Sequence, residues 1–187
     1  MPEQTHIETD RLLLRPPYGD DAPAIAQATH ETWDALSQWM RWATDYDSLT
    51  SVENCRLYAQ CCENAFYKDE DYTFAGILRD TGDFALIVRL AHMANEPGAY
   101  QFGGFWCRKS QQGKGLTVEA VNAVKDFAYC RLNAHYLQVT CAAGNTASAR
   151  AIEKTGFVYD DLRKEAHRLP NDHYVDEYVY SLSCRDK

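Results

Sequence analysis

QQGKGLTVEAVNAVKDFAY, Gln111 to Tyr129, sets two glycines around Lys114 and runs without a break into helical spacing. Gly113 and Gly115 let a ligand come close to the backbone because no Cβ stands in the way. The first amides of a helix have no partner inside it and, together with the helix dipole, attract anions. The stretch therefore reads as a phosphate cradle, beside the plainer alternative of a glycine turn that serves folding alone. Thr117, Val121, Val124 and Ala128 fall on one stripe, which predicts a helix packed against a sheet. Two better-known phosphate loops do not fit. In GxxxxGK[ST] the lysine follows the second glycine, whereas Lys114 stands between the two, and in GxGxxG the third glycine is replaced by Val118.

The segments around this stretch supply the sheet. Upstream, AYQFGGFWC (99–107) reads as a strand whose Gly103 and Gly104 mark a bulge or a close approach by another backbone or a ligand. DYTFAGILRDTGDFALIVRLAHM (71–93) holds two β-rich runs joined by Asp80-Thr81-Gly82-Asp83, a hairpin signal. Downstream come a strand in HYLQVTCAA (135–143), a short helix in NTASARAIEK (145–154) stopped by Gly156, and a closing hairpin. That hairpin pairs VYDDLRKEAHRL with HYVDEYVYSLS through Pro170-Asn171-Asp172. At the front, HIETDRLLLRPP (6–17) reads as one strand, halted by Pro16 and Pro17. A helical region over 20–40 follows. A second amphipathic helix is announced by a capping box from Thr50 to Glu53, carries Cys55, Ala59, Cys62 and Phe66, and ends near Lys68. The order is strand, two helices, three strands, helix, strand, helix, two strands, which predicts a mixed α/β (α+β) protein with a single domain over 1–187.

Composition bounds the function. A chain of 187 residues suits one sizeable core, and a net charge of -8 argues against broad nucleic-acid binding, which needs clustered Lys and Arg. An acidic surface suits a cationic partner, or solubility alone. No run approaches the ~20 apolar residues that span a bilayer. The N-terminus lacks the layout of a secretory signal, so a cytoplasmic location is expected. The seven cysteines (Cys55, Cys61, Cys62, Cys107, Cys130, Cys141, Cys184) include no CxxC pair and read as reduced, mostly small core residues. His92, His135, His167 and His173 show no spacing that suggests a metal site or a triad, and no metal is expected.

A QGKG loop opening a helix, then a strand, then N-x-x-S and K-x-G-F in NTASARAIEKTGF (145–157), resembles the GNAT acyltransferase superfamily. The ETDRLLLRPP strand near the start and VDEYVYSL near the end bring the resemblance to the RimJ/RimL-type ribosomal-protein N-terminal acetyltransferases. It covers nearly the whole chain. It implies the GNAT acyl-CoA N-acyltransferase fold, a mostly antiparallel sheet with a splayed pair of strands and flanking helices. The implied coenzyme is acetyl-CoA, with its pyrophosphate on the amides of Gln112, Gly113, Lys114, Gly115, Leu116 and Thr117. Its pantetheine arm would pair with Phe105, Trp106 and Cys107, in an opening toward the strand with Gln138 to Cys141.

By the same resemblance, Ser148 corresponds to a proton donor for the departing thiolate, with a backbone-satisfied helix serine as the alternative. Asn145 corresponds to an asparagine that bonds the pantetheine arm or an ordered water, or simply caps its helix. Two positions depart from the family pattern. Ile152 stands where many members have a tyrosine acid, and Phe102 stands where a glutamate base is expected. Glu31, Asp34, Asp45 or a water chain remain as candidate bases. Trp33, Trp39 and Trp42 read as core more than substrate contacts, and Asp45 and Asp47 either meet a cationic amine or are solvated. The expected activity is acetyl-CoA-dependent N-acetylation of a primary amine by direct attack on the thioester. The acceptor is a protein N-terminal α-amine, ribosomal-protein-like, or a small amine such as a polyamine, an amino acid or a drug. The alternative is a non-catalytic acyl-CoA-binding or regulatory module. A homodimer is left open.

Overall fold

The computed structural model describes residues 6–94 and 96–183. Residues 1–5, 95 and 184–187, Cys184 among them, lie outside the described residues. The elements are β1 (Ile7–Glu8), β2 (Leu12–Arg15), α1 (Ala22–Trp39), α2 (Tyr46–Leu49), α3 (Val52–Tyr67), β3 (Asp71–Leu78), β4 (Phe84–His92), β5 (Ala99–Cys107), α4 (Leu116–Arg131), β6 (Tyr136–Ala142), α5 (Thr146–Lys154), β7 (Val158–Arg168) and β8 (Tyr174–Ser183). The strands form one sheet in the order β1-β2-β3-β4-β5-β6-β8-β7. All neighbours are antiparallel except β5 and β6. The mixed α/β architecture expected from the sequence is the one observed.

Both sheet faces are covered, and strand alternation assigns the residues. Leu86, Val88 and Leu90 of β4, with Phe74, Phe102 and Leu137, join Val121, Val124 and Ala128 of α4 and Ile152 of α5 in the larger core. The intervening Ile87, with Ala75 and Phe84, joins Ile25 and Ala28 of α1 and Cys55 and Ala59 of α3 in a second core on the opposite face. Cys62 and Thr117, expected on buried stripes, are only half-buried.

Three local expectations change. The front strand is two strands, because the Thr9 hydroxyl oxygen accepts from the Leu12 amide at 2.9 Å and folds residues 9–11 into a turn. The residues after α1 are not all loop: the Asp45 carboxylate accepts from the Ser48 amide at 3.1 Å and starts the short α2. Consequently Thr50 ends α2, its hydroxyl donating to the Tyr46 carbonyl at 2.8 Å, and the N-cap of α3 is Ser51 in place of Thr50. No helix among the described residues is long and apolar enough to cross a membrane.

Candidate active site

The parallel pair is short. Ala99–Phe102 lie against Tyr136–Val139, and pairing then stops. The cause is a bulge: Arg89 faces Gly104 and Leu90 faces Phe102, so Gly103 is an extra residue. Gly104 has φ of 132°, which a side chain disfavours. A bulge sharpens twist and bends its strand, and this one carries residues 103–107 away from β6. The Arg108 amide donates to the Ala85 carbonyl of the β4 side at 2.9 Å. Alternation therefore turns the Trp106 backbone toward β4 and the backbone groups of Phe105 and Cys107 toward the gap. The Cys107 carbonyl is already taken, by the Gln112 carboxamide at 3.0 Å.

The glycine loop lies at the mouth of this gap. Gly113 and Gly115 have φ of 76° and 79°, and no side chain caps α4. Among the described residues, the amides of Gly113, Lys114 and Gly115 meet no acceptor. A Cβ on Gly113 would face open space within 4 Å. The loop is braced from the front of the chain: Arg11 donates to the Lys114 carbonyl at 2.8 Å and pairs with Glu119 at 2.6 Å, and the Thr9 hydroxyl also donates to Glu119 at 2.6 Å. Partial burial pushes the Glu119 carboxyl up, but bonds from Thr9 and Arg11 outweigh it and hold the group below its ordinary value.

Asn145 and Ser148 enter from α5. The Asn145 side-chain oxygen accepts from the Ser148 amide at 3.1 Å, so the capping role is real, and its NH₂ group has no partner among the described residues. The Ser148 hydroxyl meets the thiol of Cys141 in β6, which burial pushes up to about 11 and Ser148 pulls back. Phe105, Trp106, Gly113, Thr117, Asn145 and Ser148 line one cavity of about 460 Å³. Arg150 and Lys154, which no sequence motif marked as site residues, both lie on this cavity's wall, four apart on α5 and hence on one helix face.

A second cavity, of about 370 Å³, lies toward α1 and α3 and includes Ile25, Leu49, Ile87 and Arg89. The two cavities share Met40, Phe105 and Trp106. The tryptophans after α1 begins are not core: Trp42 is 44% exposed and lines the second cavity, Trp39 lines the first, and Trp33 is half-buried with its ring edge on Tyr46 at 5.1 Å.

The candidate bases do not converge here. Phe102 is buried edge-on against Phe157 in the larger core and lines neither cavity. Glu31 is held by Arg108 in two bonds of 2.9 and 3.0 Å, with Ser110 adding two more. The Arg108 bonds above all pull its carboxyl down to about 2, which makes it a fastener between α1 and the turn after β5. Asp45 caps α2, and Asp34 is exposed and lines neither cavity. No Asp or Glu is among the described residues lining either cavity. His167, read from sequence as ordinary, bridges elements: one ring nitrogen meets Glu177 and the other the Trp39 carbonyl, each at 3.3 Å. Glu177 above all raises its pKa, and two acceptors favour the doubly protonated ring. The described residues contain no group of three His, Cys, Asp or Glu placed to hold a metal ion, and the six described cysteines are free.

Residues 11–158 match the sequence model of the family described as acetyltransferase (GNAT) domain. The protein named probable N-acetyltransferase YjcK from Bacillus subtilis (strain 168) is 32% identical over 174 residues, which are 91% of this chain and 93% of that one. Among solved structures, ribosomal-protein-S5-alanine acetyltransferase from Vibrio fischeri superposes with a TM-score of 0.85 at 18% identity, covering 98% of each chain. RimL, the ribosomal L7/L12 α-N-protein acetyltransferase solved in complex with coenzyme A, gives 0.83 at 22% identity over 95% of this chain and 97% of that one.

Proposed function

Because the chain belongs to the GNAT acetyltransferase domain family, we propose that it transfers an acetyl group from acetyl-CoA to a primary amine. The gap between β5 and β6 carries this reading, since unpaired strand backbone and an uncapped glycine loop open into one cavity. The fit is chemical as well as spatial. Amides with no acceptor at a helix start suit a diphosphate, and Arg150 and Lys154 on the cavity wall add positive charge. Gln112 to Thr117 would hold the diphosphate. Phe105 and the Cys107 amide would pair with an extended amide-bearing arm, Trp106 giving its ring to the wall, and Asn145 would donate to that arm from its free NH₂ group.

Bound acetyl-CoA supplies the acyl group as a thioester. The acceptor amine enters from the second cavity, and the shared wall of Met40, Phe105 and Trp106 is where the two reactants meet. As the nitrogen–carbon bond forms and the carbon–sulfur bond breaks, Ser148 donates its hydroxyl proton to the leaving sulfur and regains one from solvent. The amine's surplus proton leaves through water, since no lining carboxylate takes it. Calorimetric titration with acetyl-CoA and colorimetric detection of released thiol over an amine and peptide panel test the reading. Saturable coenzyme binding with amine-dependent thiol release is expected, and no binding at millimolar coenzyme would overturn it.

A further inference from the structure

Building on that acetyl-transfer reading, we infer that the acceptor is an α-aminoacyl group with an apolar side chain, whose carbonyl or carboxylate meets Arg89, and not a polycation. The second cavity's wall is largely apolar, with Ile25, Met40, Trp42, Leu49, Ile87 and Trp106 among its residues. The Cys55 thiol and the Tyr58 hydroxyl on the same wall ordinarily titrate above physiological pH and are pushed further up by burial, so both are neutral. What remains charged is Arg89.

Arg89 is fixed and half satisfied. Its Nε reaches both oxygens of Asp71 at 3.1 and 2.9 Å, and its Nη2 pairs with Asp71 at 2.6 Å. Nη1 has no hydrogen-bond partner among the described residues. Gly103, the bulged residue beside the gap, makes room for it, since a Cβ there would come within 2.8 Å of Nη1. A guanidinium held on one side and free on the other is a directed donor for a carbonyl or carboxylate oxygen. Asp71 sits behind Arg89 and is not part of the cavity wall. A polyamine would thus bring a second ammonium into an apolar space with a cation on its wall and no carboxylate to meet it, a costly burial. An aminoacyl group with a leucine- or phenylalanine-like side chain places apolar atoms against apolar wall and an oxygen near Nη1, with its amine at the shared wall. A free amino acid and the first residue of a peptide present the same chemistry.

Thiol release from acetyl-CoA measured with L-leucine, L-leucinamide, the peptide Leu-Gly-Gly and spermidine separates these sources and tests the class. The expected result is kcat/KM at least tenfold higher for one or more leucyl compounds than for spermidine. Preference for free leucine marks a carboxylate, and preference for the amide or peptide marks a carbonyl. Arg89→Lys keeps the charge but loses the fork, and should raise the KM for the leucyl acceptor by about tenfold or more, with the KM for acetyl-CoA within twofold. Arg89→Met uncovers Asp71 and should move the ratio toward spermidine. Preference for spermidine in the unaltered protein, turnover of none of the four despite coenzyme binding, or unchanged acceptor KM in both variants would overturn the inference. Calorimetry keeps the two readings apart: loss of coenzyme binding strikes the acetyltransferase proposal, whereas intact binding with spermidine turnover strikes only the acceptor assignment.

Discussion

At the scale of single residues, roles divide between groups that face a cavity and groups that hold others in place. Ser148 faces the cavity and also touches Cys141. Ser148→Ala should lower kcat by about a hundredfold, in the range that a positioned proton donor contributes, while calorimetric coenzyme affinity stays within twofold. Unchanged turnover would transfer the donor role to water. Glu31 holds. Its carboxyl is drawn down to about 2 by Arg108, so its folded pKa lies below its unfolded one, and the stabilisation is present above the unfolded value and lost as pH falls through about 2. The shift corresponds to roughly 3 kcal/mol at neutral pH. Glu31→Gln should therefore reduce neutral-pH stability and flatten its acid limb between about pH 4.5 and 2, as followed by denaturant melts. A parallel acid limb in the variant would sink this account. Asn145, Ser148 and the two loop glycines could be read from sequence because a motif marks them. Arg11, Glu31 and Arg89 could not, since their partners Glu119, Arg108 and Asp71 lie 108, 77 and 18 positions away.

At the scale of elements, the long periodic segments were legible and the short ones were not. α1, α3, α4 and the strands from β3 to β8 carry their own alternation or helical stripe. The split of β1 from β2 instead depends on a turn tied to Glu119, and α2 on one capping carboxylate, neither of which has a period to detect. The β5 bulge was visible only as two glycines, because register belongs to the pair of strands. The glycine loop offers a controlled test. Gly115 and Gly82 share the left-handed conformation, with φ of 79° and 77°, but Gly82 sits at a hairpin tip far along the chain from the loop. Valine at either should cost about 1–2 kcal/mol in denaturant melts. Only Gly115→Val should also weaken acetyl-CoA binding, by more than tenfold, since it displaces amides of the cradle. Equal loss of affinity in both variants would mean that stability, and not the loop, governs binding.

For the whole molecule, the two cavities meet at three shared residues, Met40, Phe105 and Trp106, and under the proposed function one takes the coenzyme and the other the acceptor. A coenzyme that fills the gap binds the folded chain only, and at a hundredfold excess over Kd should stabilise it by about 2.7 kcal/mol. That corresponds to a rise in Tm of about 5–10 °C in a thermal melt, and the absence of any rise would argue that the gap holds no coenzyme. The family resemblance implied the flanking helices, but the second cavity was not legible in the sequence, since α1, α3 and β4 meet there only in three dimensions. The single inserted glycine of β5 has a further consequence. It ends the pairing of β5 with β6 after four parallel rungs and so opens the aperture between the strand that leads to the glycine loop and the strand that leads to Ser148. Under the proposed function, the distance between the coenzyme's diphosphate and the departing sulfur then depends in part on a count of backbone units. Adding or removing one residue at that point of β5 would shift every later backbone group of the strand to its other edge.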